Sequence, residues 1–205
     1  MSEEWDSALL APVTEINEQM LQQLRELALR APGEAGAQGT PRLIAVLREQ
    51  WCALGLEGRQ RLAAGPCLLL DAGFAQPQRW ERIGGCAVMD AEDRGGYFRD
   101  AFGVAVVRRT LVLGWHLARA NRITARVALG MSSAAAERIA ACRLSDLEAL
   151  AQRSPAWIAP RWEQQPIVWR QLIEAANRRQ GAQLRQAQLR GLQLLARSAS
   201  PRGSV

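Results

Sequence analysis

Residues 123–153 read ITARVALGMSSAAAERIAACRLSDLEALAQR. The stretch divides into three short amphipathic segments joined at Gly130-Met131 and Arg143-Leu144. Gly130 suits a left-handed residue closing the first segment. Ser132 or Ser133 can cap the second, which runs through Cys142. Ser145 with Glu148 forms an S-x-x-E capping box for the third, through Gln152. Val127, Leu129, Ile139, Leu144, Leu147 and Leu150 would face one another. Apolar residues at helical spacing with tight turns outline a helix-turn-helix-like unit. Arg126, Arg138, Arg143 and Arg153 lie on its polar face. The fold class that follows is all-α: a multi-helix bundle with this unit in its C-terminal half.

The helical pattern extends in both directions. Upstream, a helix is expected from about Tyr97 to Ala120, interrupted at Asn121-Arg122 before Ile123. Gly84–Gly96 (GGCAVMDAEDRGG) reads as a loop between two halves. Residues 56–82 read as short helices broken by Gly and Pro. Within them Pro66–Phe74 (PCLLLDAGF) is the most apolar window. It reads as a buried helix; a buried strand of four or five residues is the alternative, without an evident partner. Thr40 is expected to cap a helix with Pro41 at its first position and Leu43, Leu47, Trp51 and Leu54 near one face. Thr14 is expected to cap another, running to Arg30, with Ile16, Met20, Leu24 and Leu27 as its stripe. Ala31–Pro41 is a loop by composition.

Downstream, Pro155, Pro160 and Pro166 punctuate a segment holding Trp157, Trp162 and Trp169 beside Arg153, Arg161 and Arg170. Such rings interleaved with arginine can stack on bases, but the first reading is that they pin this segment onto the preceding helices. Pro166 opens a helix to about Ala176. Residues 180–197 form an amphipathic helix with Leu184, Leu189, Leu192 and Leu195 on one broad side, and the last eight residues are a frayed end. The chain thus reads as an N-terminal helical region (1–83), a second helical region (97–176) and a basic tail (177–205), with no internal repeat.

Residues 111–175 resemble the D subunit of the bacterial flagellar master regulator (FlhD). The resemblance is carried by LVLGWHLARANRITARVALGMS, then ERIAACRLSDLEALAQ, then PRWEQQPIVWRQLI, with Leu129-Gly130, Leu144, Leu147, Leu150-Ala151 and Arg161-Trp162 in the matching places. It implies an all-helical, oligomeric transcription regulator working with a second, zinc-binding subunit that makes much of the DNA contact. The first hundred residues have no counterpart in that pattern, and the tail is longer and more helical.

Charge narrows the functional classes. The chain has 205 residues, with 26 basic and 20 acidic side chains. Every basic residue is arginine. Residues 177–205 hold Arg178, Arg179, Arg185, Arg190, Arg197 and Arg202 and no acid, so the tail carries the whole excess of +6. Cys52, Cys67, Cys86 and Cys142 form no close pairs and His116 is the only histidine, which argues against a zinc site and for a reducing, cytoplasmic setting. Asp90, Glu92, Asp93 and Asp100 lack the spacing of a calcium loop. No nucleophile elbow, phosphate-binding loop or dinucleotide fingerprint is present. The N-terminus is not a secretory signal, and no unbroken apolar run of membrane-spanning length occurs.

The expectation is a non-enzyme without cofactor or metal: a DNA-associated regulator or regulator subunit, in an oligomer or with a second protein. Its candidate DNA contacts are Arg138, Arg143, Arg153, Arg161, Arg178, Arg179, Arg185 and Arg190. The alternative is a secretion- or flagellum-related adaptor or assembly protein that docks through Leu184, Leu189, Leu192 and Leu195. An anionic membrane surface is a weaker target for the tail.

Overall fold

The computed structural model describes residues 2–31, 40–81 and 96–199. It is mostly helical, at 74% helix and 2% strand. The expected loop at Gly84–Gly95, most of the loop after Ala31, the acidic residues Asp90, Glu92 and Asp93, Cys86 and Arg202 lie outside the described residues.

The helices are α1 (Ser2–Arg30), α2 (Arg42–Val46), α3 (Arg48–Ala53), α4 (Leu56–Ala63), α5 (Pro77–Trp80), α6 (Ala101–Ala120), α7 (Arg122–Leu129), α8 (Ser133–Ala141), α9 (Leu144–Arg153), α10 (Pro166–Asn177) and α11 (Gly181–Ala199). Two short strands, β1 (Leu70–Asp71) and β2 (Ala159–Pro160), pair antiparallel.

The local signals read from residues 97–176 set most helix ends there. The helix expected from about Tyr97 starts instead at Ala101, where Asp100, not read as a cap, accepts from the Gly103 N–H at 2.8 Å. Asn121 accepts from the Thr124 N–H at 3.0 Å, so the interruption is itself a cap. Gly130 closes α7 at φ 61. The Ser132 hydroxyl caps α8 through the Ala135 N–H. Pro166 opens α10.

Four expectations are corrected. First, α1 begins at Ser2 rather than after Thr14 and runs through Pro12. Proline there removes a single backbone bond, and the buried stripe Val13, Ile16, Met20, Leu21, Leu24 and Ala28 continues past it. Second, Pro41 rather than Thr40 takes the cap of α2, with no side-chain hydrogen bond, and the helix breaks at Leu47. Leu43, Leu47, Trp51 and Leu54 still share the core.

Third, Ser145 and Glu148 form no capping box. Arg143 is the cap of α9 and Ser145 lies inside it, while the Glu148 carboxylate is taken by Arg108 at 2.6 Å. Fourth, Pro66–Phe74 is not a helix. Cys67, Leu68, Leu69, Leu70, Ala72 and Phe74 are buried along an extended segment whose centre is β1. Its partner strand lies far down the chain, beyond the reach of a local pattern.

The three sequence regions share one core. α1 packs on α3, α4 and α6; α6 packs on α7, α8 and α9; α10 packs on α3, α4 and α11; α5 packs on α8. Trp51 and Trp169, both fully buried, meet with ring centroids 5.2 Å apart. Each such ring contributes about 2–3 kcal/mol by burial. Inside α1 the buried Asn17 is satisfied by three bonds: its Nδ2 donates to the Ala63 and Cys67 carbonyls, and its Oδ1 accepts from the Leu69 N–H at 2.8 Å. That side chain holds the extended segment against α1.

α6 is the one helix among the described residues with the length and composition to cross a membrane. Here it is the central helix. Arg108 and Arg109 near its middle pair with Glu148 of α9 and Glu15 of α1.

Among the described residues, and apart from a 3-10 turn at Pro155–Trp157 before β2, the order α1–α2–α3–α4–β1–α5 is repeated by α6–α7–α8–α9–β2–α10. The absence of an internal repeat, expected from the sequence, is thereby overturned at the level of elements.

Candidate nucleic-acid interface

The interface is built from the exposed arginines of α7–α9 and α11. Helix α11 seats on the body along Leu184, Ala187, Gly191 and Leu195, spaced by three and four residues. Its close approaches need glycine. A Cβ on Gly191 would lie 2.7 Å from the Trp162 ring, and one on Gly130 would collide with Leu195. Leu195 therefore brings the last turn of α11 beside the α7–α8 turn. Arg126 and Arg197 each lie within about one helical turn of that contact in sequence.

The candidate DNA contacts separate into three groups. Arg143, Arg153, Arg185 and Arg190 are exposed and make no ion pair among the described residues, and Arg126 and Arg197 share that state. No acid lies anywhere in α11. Arg138, Arg178 and Arg179 are exposed but paired, to Glu81 at 2.6 Å, Glu174 at 3.9 Å and Glu57 at 2.5 Å. Exposed pairs of this kind hold loosely, at about 0–1 kcal/mol, so a phosphate can compete for these arginines.

Arg161 is corrected outright. It is 7% exposed. Its Nε donates to the Leu68 carbonyl and its Nη2 to the Leu129 carbonyl, both at 2.6 Å, with the Asp71 carboxylate 3.9 Å away. It binds three parts of the chain together and faces no solvent ligand.

The partner-binding leucines are also redistributed. Leu184 and Leu195 are buried against the body, Leu192 is half-buried, and Leu189 alone is well exposed, at 58%. A helical step of 100° per residue carries Leu189 off the stripe that Leu184 begins, so the four do not form one free face. The tryptophan segment behaves as the first reading had it. Trp157 and Trp169 are buried, and Arg79 rather than a base stacks on Trp157, 4.3 Å from its centroid. In the expected helix-turn-helix-like unit, Leu129, Ile139, Leu147 and Leu150 are buried, whereas Val127 and Leu144 are exposed. The three helices pack side by side on α6.

Burial pushes the Cys67 thiol up, as it does that of Cys142 with a smaller push from Asp146. Among the described residues no three His, Cys, Asp or Glu side chains gather as metal ligands would. Arg126 and Arg197 were not among the candidate contacts, although the sequence already places Arg126 on the polar face of the helical unit and Arg197 in the basic tail. No family model, curated protein or solved structure matches this chain.

Proposed function

We propose that the chain is a helical transcriptional regulator, or a subunit of one, that associates with duplex DNA through arginines of α7–α9 and α11. The observation that carries this reading is a group of exposed arginines that make no ion pair among the described residues: Arg126, Arg143, Arg153, Arg185, Arg190 and Arg197. Exposed cations left unpaired attract a polyanion and release its counterions on contact. The resemblance of residues 111–175 to the flagellar regulator D subunit supports a regulatory role, with α7–α9 as the helix-turn-helix-like unit. The adaptor reading loses support, because the leucine stripe of α11 is largely occupied by the chain's own body.

The test is fluorescence anisotropy of the full chain on duplex DNA at two salt concentrations. Removing residues 177–205 would uncover the seat of α11 on Trp162 and Gly130, so charge is removed instead. Six phosphate contacts give a log–log salt slope of roughly −5, a loss of about a thousandfold between 50 and 200 mM. The variant Arg185→Gln/Arg190→Gln/Arg197→Gln should flatten the slope by about three. A full chain that fails to bind at low salt, or a triple variant with the wild-type slope, would overturn the reading.

A further inference from the structure

The repeated order of elements reaches individual residues. Residues 48–63 align with 136–151 without a gap. Glu49 falls on Glu137, Ala53 on Ala141, Leu56 on Leu144, and Leu62-Ala63 on Leu150-Ala151. The paired alanines end α3 and α8, and the paired leucines begin α4 and α9. Burial follows the same pairing: Leu56 and Leu144 are both exposed, while Leu62 and Leu150 are 1% and 2% exposed.

After a short offset, residues 66–80 align with 155–169, placing Pro66 on Pro155, Gln76 on Gln165, Pro77 on Pro166 and Trp80 on Trp169. Gly73 and Trp162 then coincide, and both are left-handed, at φ 74 and 52. Each of their carbonyls accepts the N–H of the following glutamine, at 2.9 and 2.7 Å. Pro77 and Pro166 each open a helix. Trp80 and Trp169 are each buried and donate an indole N–H back into that turn, to the carbonyls of Gly73 and Arg161. Left-handed geometry is costly for tryptophan and free for glycine; a turn shared by two copies accounts for finding it at Trp162.

The two copies face each other as a dimer's subunits do. In the β1–β2 pair Leu70 opposes Pro160 and Asp71 opposes Ala159, whereas the alignment equates Leu70 with Ala159 and Asp71 with Pro160. Each position pairs with the counterpart of its neighbour, which is the signature of an isologous, two-fold contact. The helices cross over in the same sense, α5 packing on α8 and α10 on α3, although α10 also packs on α4 and α5 makes no comparable contact with α9. The acceptors of two arginine clamps also correspond, although the arginines themselves stand at different positions of the repeat, Arg161 opposite Ala72 and Arg79 opposite Val168 in the alignment. Arg161 of the second copy donates to the Leu68 carbonyl of the first, and Arg79 of the first donates at 2.9 Å to the carbonyl of Trp157, the counterpart of Leu68. The charge, in contrast, is not repeated. Arg138 and Arg143 stand where the first copy has Gln50 and Gly55, and α11 follows the second copy only.

We propose that one chain is a complete two-fold dimer, its first repeat standing in for a partner subunit, and that it engages duplex DNA as a single chain through the second repeat and α11. The isologous surface is consumed internally, so the expected homo-oligomer is unnecessary, and the DNA site it fits has no two-fold repeat. Only the DNA half of this proposal rests on the function proposed above.

The test is analytical ultracentrifugation of the full chain, alone and with a labelled duplex about one helical turn long. Alone, it should sediment at the 22.6 kDa mass of one chain throughout the micromolar range; a two-chain mass overturns the built-in dimer. With duplex, one chain per duplex is expected, and a cooperative pair overturns the single-site half. Absence of any DNA complex would overturn that half together with the proposed function, while the free mass still decides the dimer. Hydrogen exchange adds a readout that a merely monomeric protein would not give. Trp80→Phe should speed exchange in α8, and Trp169→Phe in α3; effects confined to the substituted repeat overturn the crossed packing.

Discussion

Arg161 shows how far a residue's role depends on what the fold brings to it. In sequence it is one arginine among several beside tryptophans, and its charge suggests a surface. In the fold it supplies donors to the carbonyls of Leu68 and Leu129, which no regular ladder satisfies at those positions. Buried carbonyls without donors cost about 1–3 kcal/mol each. Arg161→Leu should therefore lower stability by about 2–4 kcal/mol, read as a shift of the urea midpoint, with less effect on DNA affinity at low temperature than the exposed arginines have. Arg153→Gln, on the exposed face of α9, should leave the urea midpoint within about 0.5 kcal/mol of wild type. The contrast between the two arginines lies in contacts made over long sequence separations, which is why spacing alone could not sort them.

At the scale of the element, the legible parts were those with a local cause. Gly130, Asn121, Ser132 and Pro166 announce their helix ends because capping and left-handed geometry act within a few residues. β1 was illegible because its partner, Ala159–Pro160, lies in the other repeat. The capping box at Ser145 was displaced because Arg108 claims Glu148 from another helix. Asp100 at the start of α6 joins both kinds of cause. Partial burial works against its ionisation, but the Gly103 N–H, Gln23 and Arg30 outweigh it and hold the carboxyl below the usual carboxylate range. A carboxyl with a depressed folded pKa stabilises the fold above its unfolded pKa and loses that contribution as pH falls through the folded one. Asp100→Ala should cost about 1 kcal/mol at neutral pH. The gap from wild type should narrow as pH drops below about 4, measured as paired urea midpoints.

At the scale of the molecule, the question is whether two repeats mean two folding units. Read from its sequence, the chain divides into regions 1–83, 97–176 and a tail from 177. What the divisions miss is that packing within each repeat, α1 on α3 and α4 and α6 on α7, α8 and α9, is continuous with packing between them. Trp51 of α3 lies against Trp169 of α10, α1 lies against α6, and the two strands pair with each other. These three contacts join the repeats through buried surface, so the repeats are expected to unfold together. Unfolding in urea should accordingly be a single transition, with tryptophan fluorescence and helical circular dichroism giving the same midpoint. Trp51→Phe should move both probes together, although its indole sits in the first repeat and much of the helix signal comes from the second. Two separated midpoints would mean that each repeat folds alone, and would place the molecule among tandem domains rather than among dimers closed within one chain.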